Sequence, residues 1–318
     1  MISTVESPAI PVRRPSISRK TKLWTLGFLL IGSISVAVSK FHHWDERLFF
    51  DLKSHLNASV WKGKSIWLPG YSAYIDAKPV KGIEQNLSSI VYDYDQDRLL
   101  AVINDGPTEL VALSKTGNVT GHYPLVGFED IEGLAYMGGG RVVIVDERTQ
   151  QLSFFQLPAT PQSIHADDVQ SLSLGFHLNG NKGFEGVTYD AETDRLFVVK
   201  ERNPRQLYEI SGMGSSLGQR MQIKIRDLTS WIDDKVFATD LSDIHFDPKT
   251  KHLVILSDES KLMVEMTTEG ELVSFRNLVG WLSELKQSAP QPEGVTLDKD
   301  GNLYVVSEPN LFYAFRKH

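Results

Sequence analysis

Carboxylate side chains recur at two positions of a segment that is repeated along the chain, and they are the residues best suited to chemistry. At the first position, Glu132, Glu185 and Glu293 each come directly before a glycine. The second position ends the apolar run that follows, and its occupants are Asp105, Glu147, Glu201, Asp258 and Glu308. Calcium prefers oxygen ligands and takes about six to eight of them. The pattern therefore predicts a divalent-cation site wherever the fold brings the two positions together.

The repeated segment organises the chain after residue 64. Its five copies begin at Leu87, Ile131, Phe184, Leu241 and Pro292. When the copies are aligned on Ser89, Gly133, Gly186, Asp243 and Gly294, they lie 44, 53, 57 and 51 residues apart. Each copy has two apolar runs around a turn rich in Asp, Gly, Asn and Pro, which predicts a β-hairpin. Further strand-like segments follow each hairpin, and four short strands in about 40–50 residues are typical of a propeller blade.

The sequence thus predicts an all-β fold, a five-bladed β-propeller. The last copy is incomplete, because it has room for only three strands, at 294–298, 302–307 and 311–315. The segment Lys64–Ala77 has strand character, and we expect it to supply the fourth strand and close the ring, which removes an exposed sheet edge. The competing architecture is an open β-sandwich, but sandwiches lack such a regular repeat.

Propeller geometry predicts that the two carboxylate positions share one face. The innermost strand of a blade lines the channel and the second strand runs antiparallel to it, so the start of one lies beside the end of the other. Carboxylates crowded in this way disfavour one another's charge unless a cation compensates. We expect Glu132, Glu185 and Glu293 to ligate calcium, and the second-position carboxylates to line a ligand site or pair with Arg148, Lys200 and Arg202. Alternatively, the Glu-Gly pairs only close turns, with the glutamates capping backbone amides.

Composition narrows the classes of function. The chain has 318 residues, of which 41% are hydrophobic, enough for a sizeable core. It has no cysteine, which excludes thiol nucleophiles and cysteine-based zinc sites. The net charge is −7 although residues 1–22 carry five basic residues and one acid, so the remainder is more acidic still. An acidic body argues against nucleic acid as a partner, since phosphate binding needs a basic face.

The N-terminal residues predict attachment to a membrane. Residues 1–22 form a basic tail, and residues 23–39 carry no charge, which predicts a transmembrane signal-anchor with the tail in the cytoplasm. A small-x-small pattern at Ser35–Ala37 leaves open that the segment is a cleaved signal peptide. Residues 40–63 predict a juxtamembrane linker or amphipathic helix, with Trp44, Leu48, Phe49 and Leu52 on one face. Residues 64–318 form the propeller domain.

Several motifs of the repeats are distinctive when they are taken together and in order. They are Gly183–Gly186, Lys200–Pro204, Asp146–Arg148, Pro292–Val295 and Val306–Asn310. With these motifs the chain resembles the bacterial SdiA-regulated protein family, which is similar to NHL-repeat propellers. The resemblance extends from about Ile75 to the C-terminus. It implies a five-bladed β-propeller behind an N-terminal membrane segment, with a calcium-binding site, and it supplies no activity. The five repeats do not carry the same residue at the first position, because Ser88 and Ser242 stand where three repeats have glutamate.

We therefore expect a single-pass protein of the bacterial inner membrane, anchored through residues 23–39, with its propeller in the periplasm. The expected function is a calcium-binding module that binds a ligand or an envelope protein on its acidic face. The alternative is a calcium-dependent hydrolase of lactone or phosphotriester type, in which the ion polarises an ester-like oxygen and Glu201 or Asp258 serves as the base. The sequence identifies neither the ligand, nor a catalytic residue, nor the oligomeric state.

Overall fold

The computed structural model describes residues 18, 20, 24–25, 28, 30, 32–33, 44–104, 106–175, 183–233 and 235–318. The chain divides into two compact units, Met1–Phe49 and Phe50–His318. In the part of the chain that is described, no helix combines the length and the apolar composition that a membrane crossing requires. Most of the predicted span at 23–39 lies outside the described residues.

Helix α1 covers Trp44–Trp61, within the segment predicted as a linker or helix. Leu48, Leu52, Leu56 and Val60 follow one another at intervals of four residues and are all exposed. Such spacing places them along one face of the helix. Phe50 instead stacks on Phe237, with ring centroids 4.9 Å apart.

The described residues of the unit Phe50–His318 form 21 strands in five sheets. In four of the sheets the strands are added in chain order from the inside outwards, and in the fifth the outermost strand comes from the N-terminal segment. Blade 1 contains β2 (Leu87–Asp93), β3 (Arg98–Ile103), β4 (Glu109–Leu113), β5 (Val119–Val126) and β9 (Ile164–His165). Blade 2 contains β6 (Ile131–Gly138), β7 (Arg141–Asp146), β8 (Gln151–Gln156) and β10 (Gln170–Ser173). Blade 3 contains β11 (Phe184–Asp190), β12 (Arg195–Lys200), β13 (Gln206–Ser211) and β14 (Lys224–Asp227). Blade 4 contains β15 (Asp243–Asp247), β16 (His252–Ser257), β17 (Leu262–Thr267) and β18 (Leu272–Asn277). Blade 5 contains β19 (Gln291–Leu297), β20 (Leu303–Glu308), β21 (Leu311–Lys317) and β1 (Tyr71–Pro79).

Short helices lie in the connections between strands. Helices α2 (Met213–Ser216) and α3 (Thr229–Asp233) flank β14. Single 3-10 turns occur at Leu68–Gly70, Ala166–Asp168 and Gly280–Leu282.

The hydrophobic core is divided into five layers, one at each junction between neighbouring blades. Phe197 of blade 3 packs with Phe246 of blade 4, for example, with ring centroids 6.3 Å apart. The layer that joins blade 5 to blade 1 includes Tyr304, Phe312 and Leu99. Because every junction is filled, including the one between the last and first blades, the five sheets close into a ring. The predicted five-bladed propeller is confirmed.

An N-terminal strand closes the ring, as the incomplete last repeat predicts. Strand β1 pairs antiparallel with β21, from Tyr71 opposite Lys317 to Pro79 opposite Leu311. It is therefore the outermost strand of blade 5, and it covers an edge that would otherwise be unpaired. The strand begins later than the predicted segment at Lys64–Ala77, because the residues before it are held by blade 4. Ile66 N and Trp67 N donate to the two carboxylate oxygens of Glu265, at 2.7 and 2.9 Å.

Candidate functional site

The innermost strands of the blades start at one end of the central channel, and four of them start with a β-bulge. The register shifts at Ser88, Glu132, Glu185 and Glu293, which are the first-position residues of blades 1, 2, 3 and 5. A bulge inserts one extra residue, bends the strand and re-aims the side chain of that residue. The irregularity thus turns three glutamates away from the regular alternation of the sheet and towards the channel.

The glycine that follows each of these glutamates allows neighbouring strands to come close. A Cβ atom on Gly133 would lie 2.5 Å from Glu185 O, and one on Gly186 would lie 2.6 Å from Asp243 Cα. A Cβ atom on Gly294 would lie 2.6 Å from Ile90 N. Each glycine therefore permits the contact of one innermost strand with the next around the ring. In each Glu-Gly pair the glycine has the structural role, and the glutamate side chain remains available for chemistry.

A cavity of about 230 Å³ opens at this end of the channel, and its wall carries eight carboxylates. We call it the carboxylate mouth; the eight are Glu132, Glu147, Glu185, Glu201, Asp240, Asp258, Glu293 and Glu308. Arg202 is the one basic residue among the described residues of the wall, which also includes Ser242 and Gln291. The described residues of both predicted positions thus meet at one end of the channel.

Two groups of carboxylates, in the mouth or directly beside it, are compact enough to hold one ion. In the first, oxygens of Asp130, Glu132 and Glu147 all lie within 4.8 Å of one another. Asn104, which follows the last residue of β3, donates through Nδ2 to two of these three acids, to Asp130 at 3.1 Å and to Glu132 through a short contact. Arg148 Nε lies 3.4 Å from the second oxygen of Asp130.

The second group contains Glu147, Glu185 and Glu201, again within 4.8 Å. Glu147 belongs to both groups and is almost fully buried. Its Oε1 accepts a hydrogen bond of 3.0 Å from Gly183 N. A Cβ atom on Gly183 would come within 1.8 Å of Glu147 O, so only glycine fits where the two segments meet. Glu147 is therefore a fixed pivot between the two groups.

The pKa values of the mouth carboxyls are raised. Burial raises the pKa of Glu132 to about 8, against a hydrogen bond from Ser88, and Asp130 and Glu147 add repulsion. Burial, followed by repulsion from Glu132 and Glu147, raises the pKa of Glu185 well above its usual range.

The pKa values of the other carboxyls around the mouth are raised as well. Burial and then the charge of Asp258 raise the pKa of Glu293, and burial first also raises the pKa of Glu147, Glu201, Asp258 and Glu308. Negative charge in the mouth is costly without a compensating cation.

Only two of the three predicted metal ligands belong to a compact group of carboxylates. Glu132 and Glu185 belong to the two compact groups, whereas Glu293 lines the cavity but belongs to neither. Repulsion from Asp258, and also from Glu132 and Glu308, adds to burial in raising the pKa of Glu293. The predicted residue Asp105 lies outside the described residues.

The basic residues form fewer pairs with the mouth than expected. Arg202 pairs with Glu201 at 2.7 Å and also with Glu259, outside the mouth. Arg148 pairs with Asp130, and Lys200 Nζ donates to the backbone oxygen of Arg202 at 3.0 Å. Asp258 has a different partner, Lys261, at 2.6 Å.

Sequence reasoning missed Asp130, Asp240 and Gln291. Each lies three residues before the residue used to align its repeat, so one further column of the alignment contained the signal. Asp240 accepts hydrogen bonds of 3.0 Å from the backbone amides of Asp258 and Glu259, and so holds the end of β16 against the mouth. Asn104 was also missed, because it precedes a second-position residue and its role depends on the neighbouring blade.

Comparison with known proteins agrees with this architecture. The family model described as SdiA-regulated matches residues 63–316. Among solved structures, a luciferin-regenerating enzyme is similar with a TM-score of 0.50 and 11% identity, over 77% of this chain and 95% of that one. A nidogen/laminin complex matches with a TM-score of 0.45 and 13% identity, over 70% and 73% of the two chains. A streptogramin B lyase matches with a TM-score of 0.45 and 10% identity, over 78% and 97%. At these identities the likeness concerns the fold alone.

Proposed function

The chain belongs to the SdiA-regulated family, and we propose that it is a membrane-anchored, calcium-binding propeller that binds a ligand or an envelope protein at the carboxylate mouth. The observation that carries the proposal is the imbalance of charge in the mouth, where eight carboxylates surround a small cavity with a single arginine among its described lining residues. Such crowding is compensated most economically by a divalent cation.

The chemistry of the donor set favours calcium over other metals. All the groups in the two compact clusters offer carboxylate oxygens, which suit hard cations. No histidine is among the described residues that line the mouth, and the chain has no cysteine, so zinc lacks its usual ligands. Calcium accepts six to eight oxygens in irregular geometry, roughly what a ring of unequal blades can offer.

Glu132, Glu147 and Glu185 are the ligands we propose at the centre. Glu147 is shared by the two compact groups, so an ion beside it can reach a carboxylate of either group. Glu293, which sequence analysis places at the centre, would contribute from the opposite side, directly or through water. The bulges that aim Glu132, Glu185 and Glu293 at the channel support this arrangement.

Ligand binding is the proposed use of the site, because the mouth is larger than an ion needs. Its volume is about 230 Å³, whereas one water occupies about 30 Å³ of liquid. An ion seated among the three glutamates would keep positions open towards solvent. A ligand that carries an oxygen donor could then complete the coordination, and Arg202 could pair with an acidic group of it.

The same open space favours the hydrolase as a second candidate. A bound calcium ion would polarise a carbonyl or phosphoryl oxygen, and a carboxylate would activate water. Glu201 and Asp258 are the two candidates for that base. Both line the cavity, and burial raises the pKa of each, the direction that a general base working near neutral pH requires.

Membrane attachment is proposed from the charge-free run at 23–39 and its basic flank. Helix α1 adds support, because Leu48, Leu52, Leu56 and Val60 present an exposed apolar line. A helix with such a line can lie at the surface of a bilayer. The proposed location is the inner membrane, with the propeller in the periplasm.

Calcium titration of the purified full-length protein tests the proposal. We expect saturable binding by calorimetry, and a melting temperature that rises with calcium and falls with EDTA. At a hundredfold excess of calcium over its dissociation constant, stabilisation amounts to about 2.7 kcal/mol. Glu147→Gln and Glu185→Gln should weaken calcium binding more than Glu308→Gln, because Glu308 belongs to neither compact group.

The matched control is Glu271→Gln, which changes an exposed glutamate in the turn before β18 and should bind calcium as the wild type does. Absence of calcium binding by the wild type would overturn the proposal. A larger effect of Glu308→Gln than of Glu185→Gln would show that the ligands are placed wrongly. For the hydrolase, turnover of a lactone or phosphotriester panel should depend on calcium and disappear in Glu201→Gln or Asp258→Asn.

A further inference from the structure

A second cavity, of about 400 Å³, opens at the opposite end of the central channel. The carboxylates lie at the starts of the innermost strands, and this cavity is lined by residues at the ends of the same strands. All five blades contribute, through the ends of β2, β6, β11, β15 and β19. Its volume lies within the range of roughly 300–1,000 Å³ that is typical of small-molecule sites.

Five aromatic side chains are among the residues that line the wall, and we call the space the aromatic cavity; they are Tyr92, Tyr94, Tyr136, Tyr189 and Phe246. The hydroxyl groups of three of them are engaged by the hairpins. Tyr92 donates to Asp97 at 2.5 Å, Tyr136 to Asp95 at 2.5 Å, and Tyr189 to Asp194 at 3.0 Å. With their hydroxyls held in this way, the rings are fixed and offer the cavity carbon surface.

Tyr94 extends this surface at the rim. Its ring meets the ring of Tyr136 edge-on, with centroids 4.9 Å apart and an angle of 83° between planes. A Cβ atom on Gly138 would lie 2.3 Å from the Tyr94 hydroxyl, so the next hairpin has a glycine where this side chain crosses it. Tyr94 remains 46% exposed, which leaves its ring accessible to a ligand.

The charged residues of the rim already have partners within the protein. Asp190 pairs with Arg195 at 3.0 Å, and Asp298 accepts from Tyr304 and Asn302 at 2.9 Å. Glu192 and Lys251 form an ion pair across two hairpins. Asp247 accepts from Thr250 N at 3.0 Å, Lys249 Nζ donates to the backbone oxygen of Lys299, and Lys299 Nζ lies 3.6 Å from Asp97. A charged ligand would therefore have to displace partners that these groups already have.

One polar group at the wall is different. His245 is 8% exposed, and its Nε2 has no hydrogen-bond partner among the described residues. Its Nδ1 lies 3.4 Å from Thr296 Oγ1, which accepts from Tyr92 N at 3.1 Å. Burial lowers the pKa of His245 to about 4, so the ring is neutral at pH 7.

We propose that the aromatic cavity binds a flat, uncharged, largely apolar small molecule. Aromatic walls favour a flat ligand, because ring faces and edges gain from stacking beyond the area they bury. The neutral histidine, and a rim whose charged groups already have partners, favour an uncharged ligand.

A peptide fits the cavity less well. An extended peptide needs backbone partners along its length, and the polar groups of the rim that are described above already have partners within the protein. The site is thus independent of the carboxylate mouth in both its chemistry and its position in the channel.

The neutral naphthalene ketone Prodan is a suitable probe, because its emission depends on polarity and on hydrogen bonding to its carbonyl. We expect saturable binding by the full-length protein, one dye per propeller, with a shift of emission to shorter wavelength. The anionic dye 1-anilinonaphthalene-8-sulfonate, of similar aromatic area, should compete weakly.

Two variants separate the contributions of the wall. Tyr94→Ala should raise the dissociation constant for Prodan roughly tenfold, as loss of an aromatic contact and its buried area predicts. Tyr94→Leu should have a smaller effect, since it keeps the apolar bulk. The control is Tyr74→Ala, which removes an exposed tyrosine of β1 outside the cavity.

Unchanged Prodan affinity in both Tyr94 variants would overturn the proposal, provided that their thermal unfolding shows a folded domain. Binding by the wild type that does not saturate, or that Tyr74→Ala reduces equally, would show partition into other apolar surface.

Discussion

Glu265 is the residue through which the N-terminal segment is fastened to the ring, and Glu265→Gln should weaken that closure. The side chain is fully buried on β17 of blade 4. Oε1 accepts from Ile66 N at 2.7 Å and contacts His252 Nδ1 at 2.7 Å. Oε2 accepts from Trp67 N at 2.9 Å and from the hydroxyl of Ser274 at 2.6 Å. Two backbone amides of the segment that leads into β1 thus depend on one carboxylate.

The size of the destabilisation by Glu265→Gln follows from the number of acceptor oxygens in the side chain. Glutamine has the same shape but one carbonyl oxygen, so in either orientation its amide nitrogen faces Ile66 N or Trp67 N, and that amide loses its acceptor. A buried donor without an acceptor costs about 1–3 kcal/mol. For a domain of this size, a loss of about 2 kcal/mol lowers the melting temperature by roughly 4–8 °C.

Thermal unfolding of the full-length protein, followed by circular dichroism at fixed calcium, measures this effect. Glu271→Gln is the control, because Glu271 is exposed in the turn that joins β17 to β18. Hydrogen exchange should also show faster exchange at Ile66 and Trp67 in Glu265→Gln. A melting temperature within 1 °C of the control, measured to a precision better than the roughly 4 °C expected, would refute the role of Glu265 in closure.

Three further predictions concern the mouth and the membrane. The pKa of Glu132 is raised to about 8 and that of Glu185 is raised as well, so above about pH 4.5 the folded state holds more protons than the unfolded state. The metal-free protein should therefore lose stability as the pH rises towards 8. Calcium should reduce this dependence of stability on pH in denaturation curves. Gly186→Ala should lower the free energy of unfolding by about 1–3 kcal/mol with and without calcium, because its Cβ atom would lie 2.6 Å from Asp243 Cα; equal stability would contradict the close approach of the strands. A reporter that is active only in the periplasm, fused after His318, should be active; activity of a cytoplasmic reporter instead would exclude the proposed topology.

The blades were predictable because their signal is local. Alternation of apolar residues and turn residues marks each hairpin, and the short last copy requires a strand from elsewhere. The start of that strand was not predictable, because residues 66–68 are held by Glu265 and Ser274, which lie about 200 residues away in the chain. Strand β9 was not predictable either. It follows β8 of blade 2 in the chain but pairs parallel to β5 of blade 1, with Ile164 opposite Leu125, and a pairing of only two residues shows no periodicity in the sequence.

The position of the candidate site was predictable only at the level of the backbone. Antiparallel pairing brings the start of the first strand and the end of the second to one end of the channel, so residues of both carboxylate positions could be expected to meet. Which of them group closely depends on bulges and on side-chain direction. Glu147 reaches both groups because Gly183 allows its segment to approach blade 3, and that contact joins residues 36 positions apart.

Anomalous diffraction from crystals grown with calcium is the measurement that tests the central claim most directly, that the carboxylate mouth holds a calcium ion. A single strong calcium peak is expected in the mouth, with oxygens of Glu132, Glu147 and Glu185 about 2.3–2.6 Å away and water or solvent ligands on the open side. A mouth without a peak at saturating calcium, or a peak held by other residues while these three glutamates remain unbound, would contradict the claim.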